Sequence, residues 1–96
     1  MQIEITGQNV EITPPIHDYI TKRLKKIENH FNKIIQVHVV IKVEKLNHIA
    51  KANLHYLGKD LIASDSEKDM YAAIDGMAEK MHQEIVKHKE RINGEH

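Results

Sequence analysis

The spacing of apolar residues changes period twice along this chain, and those changes decide most of what it can fold into. Ile16, Ile20, Leu24, Ile27 and Phe31 follow one another at intervals of four, four, three and four. That is the stripe of an amphipathic helix. From Ile35 to Lys45 the interval drops to two: Ile35, Val37, Val39, Ile41 and Val43 share one face, while Gln36, His38, Lys42 and Glu44 take most of the other. Ala50, Ala52, Leu54 and Tyr56 continue the alternation, and Leu61 and Ala63 end it. The helical interval then returns through Met70, Ile74, Met77, Met81, Ile85, His88 and Ile92. Ahead of all this, Ile3 and Ile5 alternate with Glu4 and Thr6, a short strand that Gly7-Gln8-Asn9 ends or kinks.

Local signals fill in the boundaries. Thr13 is suited to cap the first helix, with Pro14 at its first position and Asp18 in its early turns. Leu46-Asn47-His48 is expected to turn the chain, and Gly58-Lys59 to make a hairpin. Ser64 or Ser66 is the expected cap of the second helix, with Glu67 or Asp69 completing a capping box. The order strand, helix, three strands, helix predicts an α+β two-layer sandwich with both helices on one face of a four-stranded sheet. The crossover helix makes the first strand parallel to a neighbour through a right-handed connection, and the other strands form an antiparallel meander. A chain of 96 residues holds one core. The single domain is expected over 1–92, with 93–96 a short flexible tail.

Composition narrows the chemistry. There is no cysteine, so disulfides, thiolate metal sites and a cysteine nucleophile are excluded. No run approaches the ~18 apolar residues of a membrane helix, and no signal-peptide core precedes the first strand. A cytoplasmic location is expected. Fourteen basic and fourteen acidic residues cancel to zero formal charge, yet the charges are segregated. Residues 1–18 carry −3 and residues 59–69 carry −2, against +4 for residues 22–33 and +2 for residues 80–91. Two basic patches on a neutral chain still attract a polyanion, because the local field acts over a Debye length of roughly 8 Å.

On helical wheels, Tyr19, Lys22, Arg23, Lys26, His30 and Lys33 fall on one flank of the first helix. Lys80, Lys87 and Arg91 share a flank of the second, interrupted by Glu84, with Asp75, Glu79 and Glu90 on the opposite flank. If the basic flanks face each other, they form a positive groove suited to phosphate backbones. If they do not, they are solvated faces with pairs such as Lys80–Glu84 and Lys87–Glu90. The wheels alone leave both readings open. Tyr71 borders the apolar stripe and is expected to pack with its hydroxyl at the rim, stacking on RNA being the alternative.

Catalytic and metal constellations fail. Asp65-x-Glu67-x-Asp69 begins like a calcium loop, but Met70 and Gly76 occupy the positions of the required glycine and glutamate. Among eight histidines there is no His-x3-His or His-Glu-x-x-His pair. His38 and His55 are expected to oppose each other across neighbouring strands as ordinary polar contacts, and His88 to sit at the edge of the apolar stripe. The glycines at 7, 58, 76 and 94 form no phosphate loop. Neither an enzyme nor a cofactor is expected.

Three stretches carry a family likeness: MQIEITGQNVEITP from Met1 to Pro14, VHVVIKVEK from Val37 to Lys45, and above all DMYAAID from Asp69 to Asp75. Together with Lys80 and Lys87-His-Lys89, they resemble the ribosome hibernation promoting factor family across essentially the whole chain. The resemblance implies a fold similar to a double-stranded-RNA-binding domain with an extra N-terminal strand. It also implies binding of the small ribosomal subunit, through 16S ribosomal RNA, in the channel of messenger and transfer RNA. Translation would be blocked there in stationary phase and inactive ribosome dimers favoured. The chain looks like the short form, without the dimerisation domain of the long form or the acidic tail of the Y-type relatives that oppose dimers. Ribosome modulation factor would then act on the same ribosome; no membrane or DNA partner is expected. The expected RNA-binding set is Lys22, Arg23, Lys26, His30, Lys33, Lys80, Lys87, Lys89 and Arg91. Gln83-Glu84 departs from the Arg-Gln common in relatives, and these two positions are left out of it. A module for another structured RNA or a protein, and a Y-type inhibitor that stabilises single ribosomes, are the competing expectations.

Overall fold

In the computed structural model, which describes residues 1–31 and 34–92, the two changes of period become six elements. They are β1 (Gln2–Gln8), α1 (Pro14–His30), β2 (Gln36–Glu44), β3 (Asn47–Tyr56), β4 (Lys59–Glu67) and α2 (Met70–Ile92). The sheet order is β1-β2-β3-β4. β1 runs parallel to β2, with Ile3 beside Val37 and Ile5 beside Val39. β2, β3 and β4 form the antiparallel meander, in which Val39, Ala52 and Ala63 lie in one row. This is the expected β-α-β-β-β-α sandwich.

One parity holds across the sheet. Val37, Val39, Ile41, Ala50, Ala52, Leu54, Tyr56, Leu61 and Ala63 are all buried, and both helices cover them with Ile20, Leu24, Ile27, Ile74, Met77, Met81 and Ile85. The small alanines of β3 lie in the part of the sheet covered by α2, which packs on β3 and β4. Burying a side chain of Leu or Ile size contributes about 1.5–3 kcal/mol, so this face is the main source of stability. The opposite face is mostly polar.

Several expectations need correction at element ends. Ile35, expected on the buried face, is 77% exposed, and Ile34 is buried in its stead. The two residues precede β2, so the strand's parity does not yet govern them. β1 runs on through Gly7 to Gln8, and the chain turns at Asn9, whose φ is 58°. The β2–β3 turn is Lys45-Leu46, with Asn47 and His48 already paired in β3. The next hairpin turns at Leu57-Gly58, both at positive φ, which matches the twist of the flanking strands. His38 faces Asn53 across the strands and hydrogen-bonds Thr6 at 3.1 Å, while His55 pairs with Asp60 at 2.9 Å. The two histidines therefore do not oppose each other. Ile92 is exposed at the end of α2.

The helix caps divide the same way. Thr13 Oγ1 accepts from the Ile16 N–H at 3.4 Å and Pro14 opens α1, as expected. Ser64 and Ser66 belong to β4 and do not cap α2. Asp69 caps it, its Oδ2 accepting from the Ala72 N–H at 3.0 Å. A carboxylate at this end also meets the positive pole of the helix. Gly76 matters for a different reason: a Cβ there would collide with the carboxylate of Asp65 from β4. The glycine lets the strand's side chain lie against the helix backbone. His88 is more deeply placed than a stripe-edge residue, 7% exposed, and its Nε2–H donates to the Leu57 carbonyl oxygen at 3.1 Å. Lys33 and the tail 93–96 lie outside the described residues.

Ile74→Ala is expected to cost about 2–5 kcal/mol by opening a cavity between helix and sheet. Asp69→Ala is expected to cost about 1 kcal/mol through loss of the cap. Urea unfolding midpoints of the two variants should rank in that order.

Candidate nucleic-acid interface

Both helices lie on one face of the sheet, so their polar flanks meet above the core. One contact cluster governs how they meet. The Tyr19 hydroxyl donates to Asp75 Oδ1 at 2.6 Å, and Arg23 Nε lies 3.1 Å from the same oxygen. Arg23 Nη2 also reaches the Asp75 backbone carbonyl at 3.4 Å. Tyr71, one helical turn before Asp75, sets its ring against that of Tyr19 at 5.1 Å and 82°. Tyr71 is 39% exposed, so it is packed on one side and open on the other. The DMYAAID segment thus supplies an N-cap (Asp69), three core residues (Met70, Ala73, Ile74) and the two groups that hold α1 (Tyr71, Asp75).

Beyond this clamp the helices line a groove of about 380 Å³, bounded by Arg23, Lys26 and His30 from α1 and Glu79, His82 and Gln83 from α2. His30 and His82 face each other with ring centroids 5.8 Å apart. Phe31 closes the groove's far end, 5.2 Å from the His82 ring, with Lys89 Nζ 5.7 Å from its own ring centre.

Of the two readings the wheels leave open, this arrangement excludes the one in which two basic flanks face one another. The flank of α2 that meets α1 is Tyr71, Asp75, Glu79, His82 and Lys89. The flank bearing Lys80, Lys87 and Arg91 lies on the far side of α2. Lys80 is engaged there: its Nζ donates to Asp65 Oδ1 at 2.8 Å and to the Ser64 carbonyl at 3.3 Å. Asp65 is 13% exposed at its side chain, and Lys80's hydrogen bond holds its carboxyl below the usual carboxylate range. The pair expected at Lys80–Glu84 is absent because Lys80 has turned to β4; Glu84 instead lies 3.7 Å from Lys87. Lys22, Lys25 and Lys26 are exposed along α1.

Of the expected set, the fold brings Arg23, Lys26 and His30 together in the groove, with Lys89 over the neighbouring Phe31 ring. Lys22 extends that row along α1, and Lys80, Lys87 and Arg91 form a separate row. Sequence reasoning missed His82, Gln83 and Glu79 as groove residues. The signal for them was Asp75: an acid three to four residues before the stripe's next polar positions, with Tyr19 and Arg23 on the other helix to meet it. Among the described residues, no group of three metal-ligating side chains comes together. No helix among them is long and apolar enough to cross a membrane.

The Tyr19 phenol is held above its ordinary pKa of 10.0, first by its hydrogen bond to Asp75 and then by desolvation. Stability from that bond is fully present below the unfolded value near 10 and is lost as pH rises through the higher folded value. Wild-type thermal midpoints should therefore fall more steeply above about pH 10 than those of Tyr19→Phe. At neutral pH the same variant should lose about 1 kcal/mol, as for a typical hydrogen bond.

The family model described as Sigma 54 modulation protein / S30EA ribosomal protein matches residues 3–93. A ribosome hibernation promoting factor of Klebsiella oxytoca is 49% identical over 92 residues, covering 96% of this chain and 97% of that protein. A solved structure of a ribosomal subunit interface protein from Coxiella burnetii superposes with a TM-score of 0.88. It is 30% identical and covers 93% of this chain and 98% of its own. The Protein Y N-terminal domain of Thermus thermophilus has the same fold, with a TM-score of 0.84 at 24% identity, covering 92% and 99% of the two chains. The chain belongs to the S30EA ribosomal protein family, among relatives that are ribosome hibernation promoting factors.

Proposed function

We propose that this protein is a ribosome hibernation factor that occupies the small ribosomal subunit where messenger and transfer RNA pass. Its cationic helix layer lies on 16S ribosomal RNA and blocks translation in stationary phase. The observation that carries this reading is the row of Lys22, Arg23, Lys26 and His30 along α1, held beside Lys89 of α2 by the Asp75 clamp. Such a row supplies charge at repeated intervals along a phosphate backbone and offers no reactive group. Occupancy, with no chemical step, is therefore the mechanism. Lys87 and Arg91 supply a second line of charge on the far flank of α2. Lys33 belongs to the same proposed set, and Lys80 joins it only by leaving Asp65. Family membership supports the ribosome as the partner. In this reading the protein works in the cytoplasm, favours inactive ribosome dimers, and shares the ribosome with ribosome modulation factor.

Cosedimentation with purified small subunits across a salt series tests the reading. Log affinity should fall linearly with log salt, and the slope should shrink by ~0.7–0.9 for each phosphate contact removed. Lys26→Glu and Lys87→Glu should release the protein while changing stability by no more than ~0.5 kcal/mol. Lys80→Ala should change the slope less than Lys26→Ala, because Lys80 is already paired. Wild-type binding by both charge reversals would overturn the reading.

A further inference from the structure

The groove between α1 and α2 carries two imidazoles where cations alone would serve. His30 of α1 and His82 of α2 stand at 89° to each other with centroids 5.8 Å apart, in a space of about 380 Å³. We propose that this histidine pair is a proton-dependent phosphate clamp that tightens RNA binding by the groove as pH falls from about 8 to about 6. The proposal rests on the reading that the groove receives ribosomal phosphates.

The surroundings favour an anion in the groove beside the two rings. From α1, Arg23 and Lys26 face the pair; from α2, Glu79 and Gln83 do so, with Lys89 beside Phe31 at the end. Asp75, one turn before Glu79, is occupied by Tyr19 and Arg23. Glu79 is thus the one carboxylate lining the groove among the described residues. Imidazole changes charge between about pH 5 and 8. A phosphate within hydrogen-bond reach of both rings favours their protonated form, and by linkage the protonated pair binds that phosphate more tightly. Protonation also makes both ring nitrogens donors, so each ring can turn one N–H to the phosphate. Of the other described histidines, His88 is tied to Leu57, His55 to Asp60, His38 to Thr6 and His17 to Asp18, and His48 lies in β3; none of them lines the groove. The response therefore belongs to one pair of positions.

The experiment measures binding of wild type and the double variant His30→Gln, His82→Gln to purified small subunits at constant ionic strength. Wild-type affinity should rise about tenfold from about pH 8 to about pH 6, while the variant changes by less than about threefold. The thermal midpoint of the double variant at about pH 8 should stay close to that of wild type, which shows that the variant is folded. Calorimetry of wild type in buffers of different ionisation enthalpy provides a measure independent of any variant, and should show net proton uptake near pH 6.5. Identical pH profiles, or no proton uptake, would overturn the clamp and leave the groove reading standing as long as Lys26→Glu still releases the protein. Absence of binding by wild type at every pH would remove both.

Discussion

Asp75, with Tyr71 one turn before it, is the side chain through which the helix layer acquires a defined shape. The sheet can bury one face only, so both helices must lie on that face, side by side, with polar flanks in contact. Apolar packing beneath them tolerates small rotations and slides; it sets separation better than register. The carboxylate supplies the missing constraint by accepting the Tyr19 hydroxyl and lying against Arg23. Both partners are on α1, a full turn apart, so the contact fixes rotation as well as distance. The groove, the facing histidines and the cationic row of α1 all take their geometry from it.

The same clamp shows how a chain with zero formal charge presents a cationic surface. Acids are spent in specific places. Asp69 caps α2, Asp75 joins the helices, Asp65 holds Lys80, and Asp60 pairs with His55. Each such carboxylate is engaged by another group of the protein, while Lys22, Lys25 and Lys26 remain exposed. Net charge counts every group equally; a polyanion meets only those that face it.

The two-layer fold was legible because the period of the apolar residues is unambiguous in α1, α2, β2 and β3. The sequence-level resemblance through DMYAAID was equally informative. What escaped were features set by neighbours in space. Ile34 and Ile35 are chemically alike, and which one is buried depends on where β2 starts. Ser64 and Ser66 are good capping residues by type, but the β3 ladder extends far enough to claim both for β4. A helical wheel places Lys80 and Asp75 on opposite flanks of α2 correctly, yet carries no information on which flank meets α1. That choice is made by complementarity: the flank with Tyr71 and Asp75 has partners in Tyr19 and Arg23, whereas Lys80 has its partner on β4.

The parallel pairing of β1 with β2 has a consequence for how insertions are tolerated. Each hairpin of the meander is closed by a two-residue turn, so one added residue there would invert every side chain downstream or force a bulge. No turn dictates the register of β1. Gln2 meets Gln36 across a long intervening segment, and the alternation of Ile3 and Ile5 with Glu4 and Thr6 selects the alignment. A shift by one residue would drive Glu4 and Thr6 toward the core. Length changes between β1 and α1, or between α1 and β2, therefore leave the pairing intact, because the pattern that sets it is carried within the strand itself.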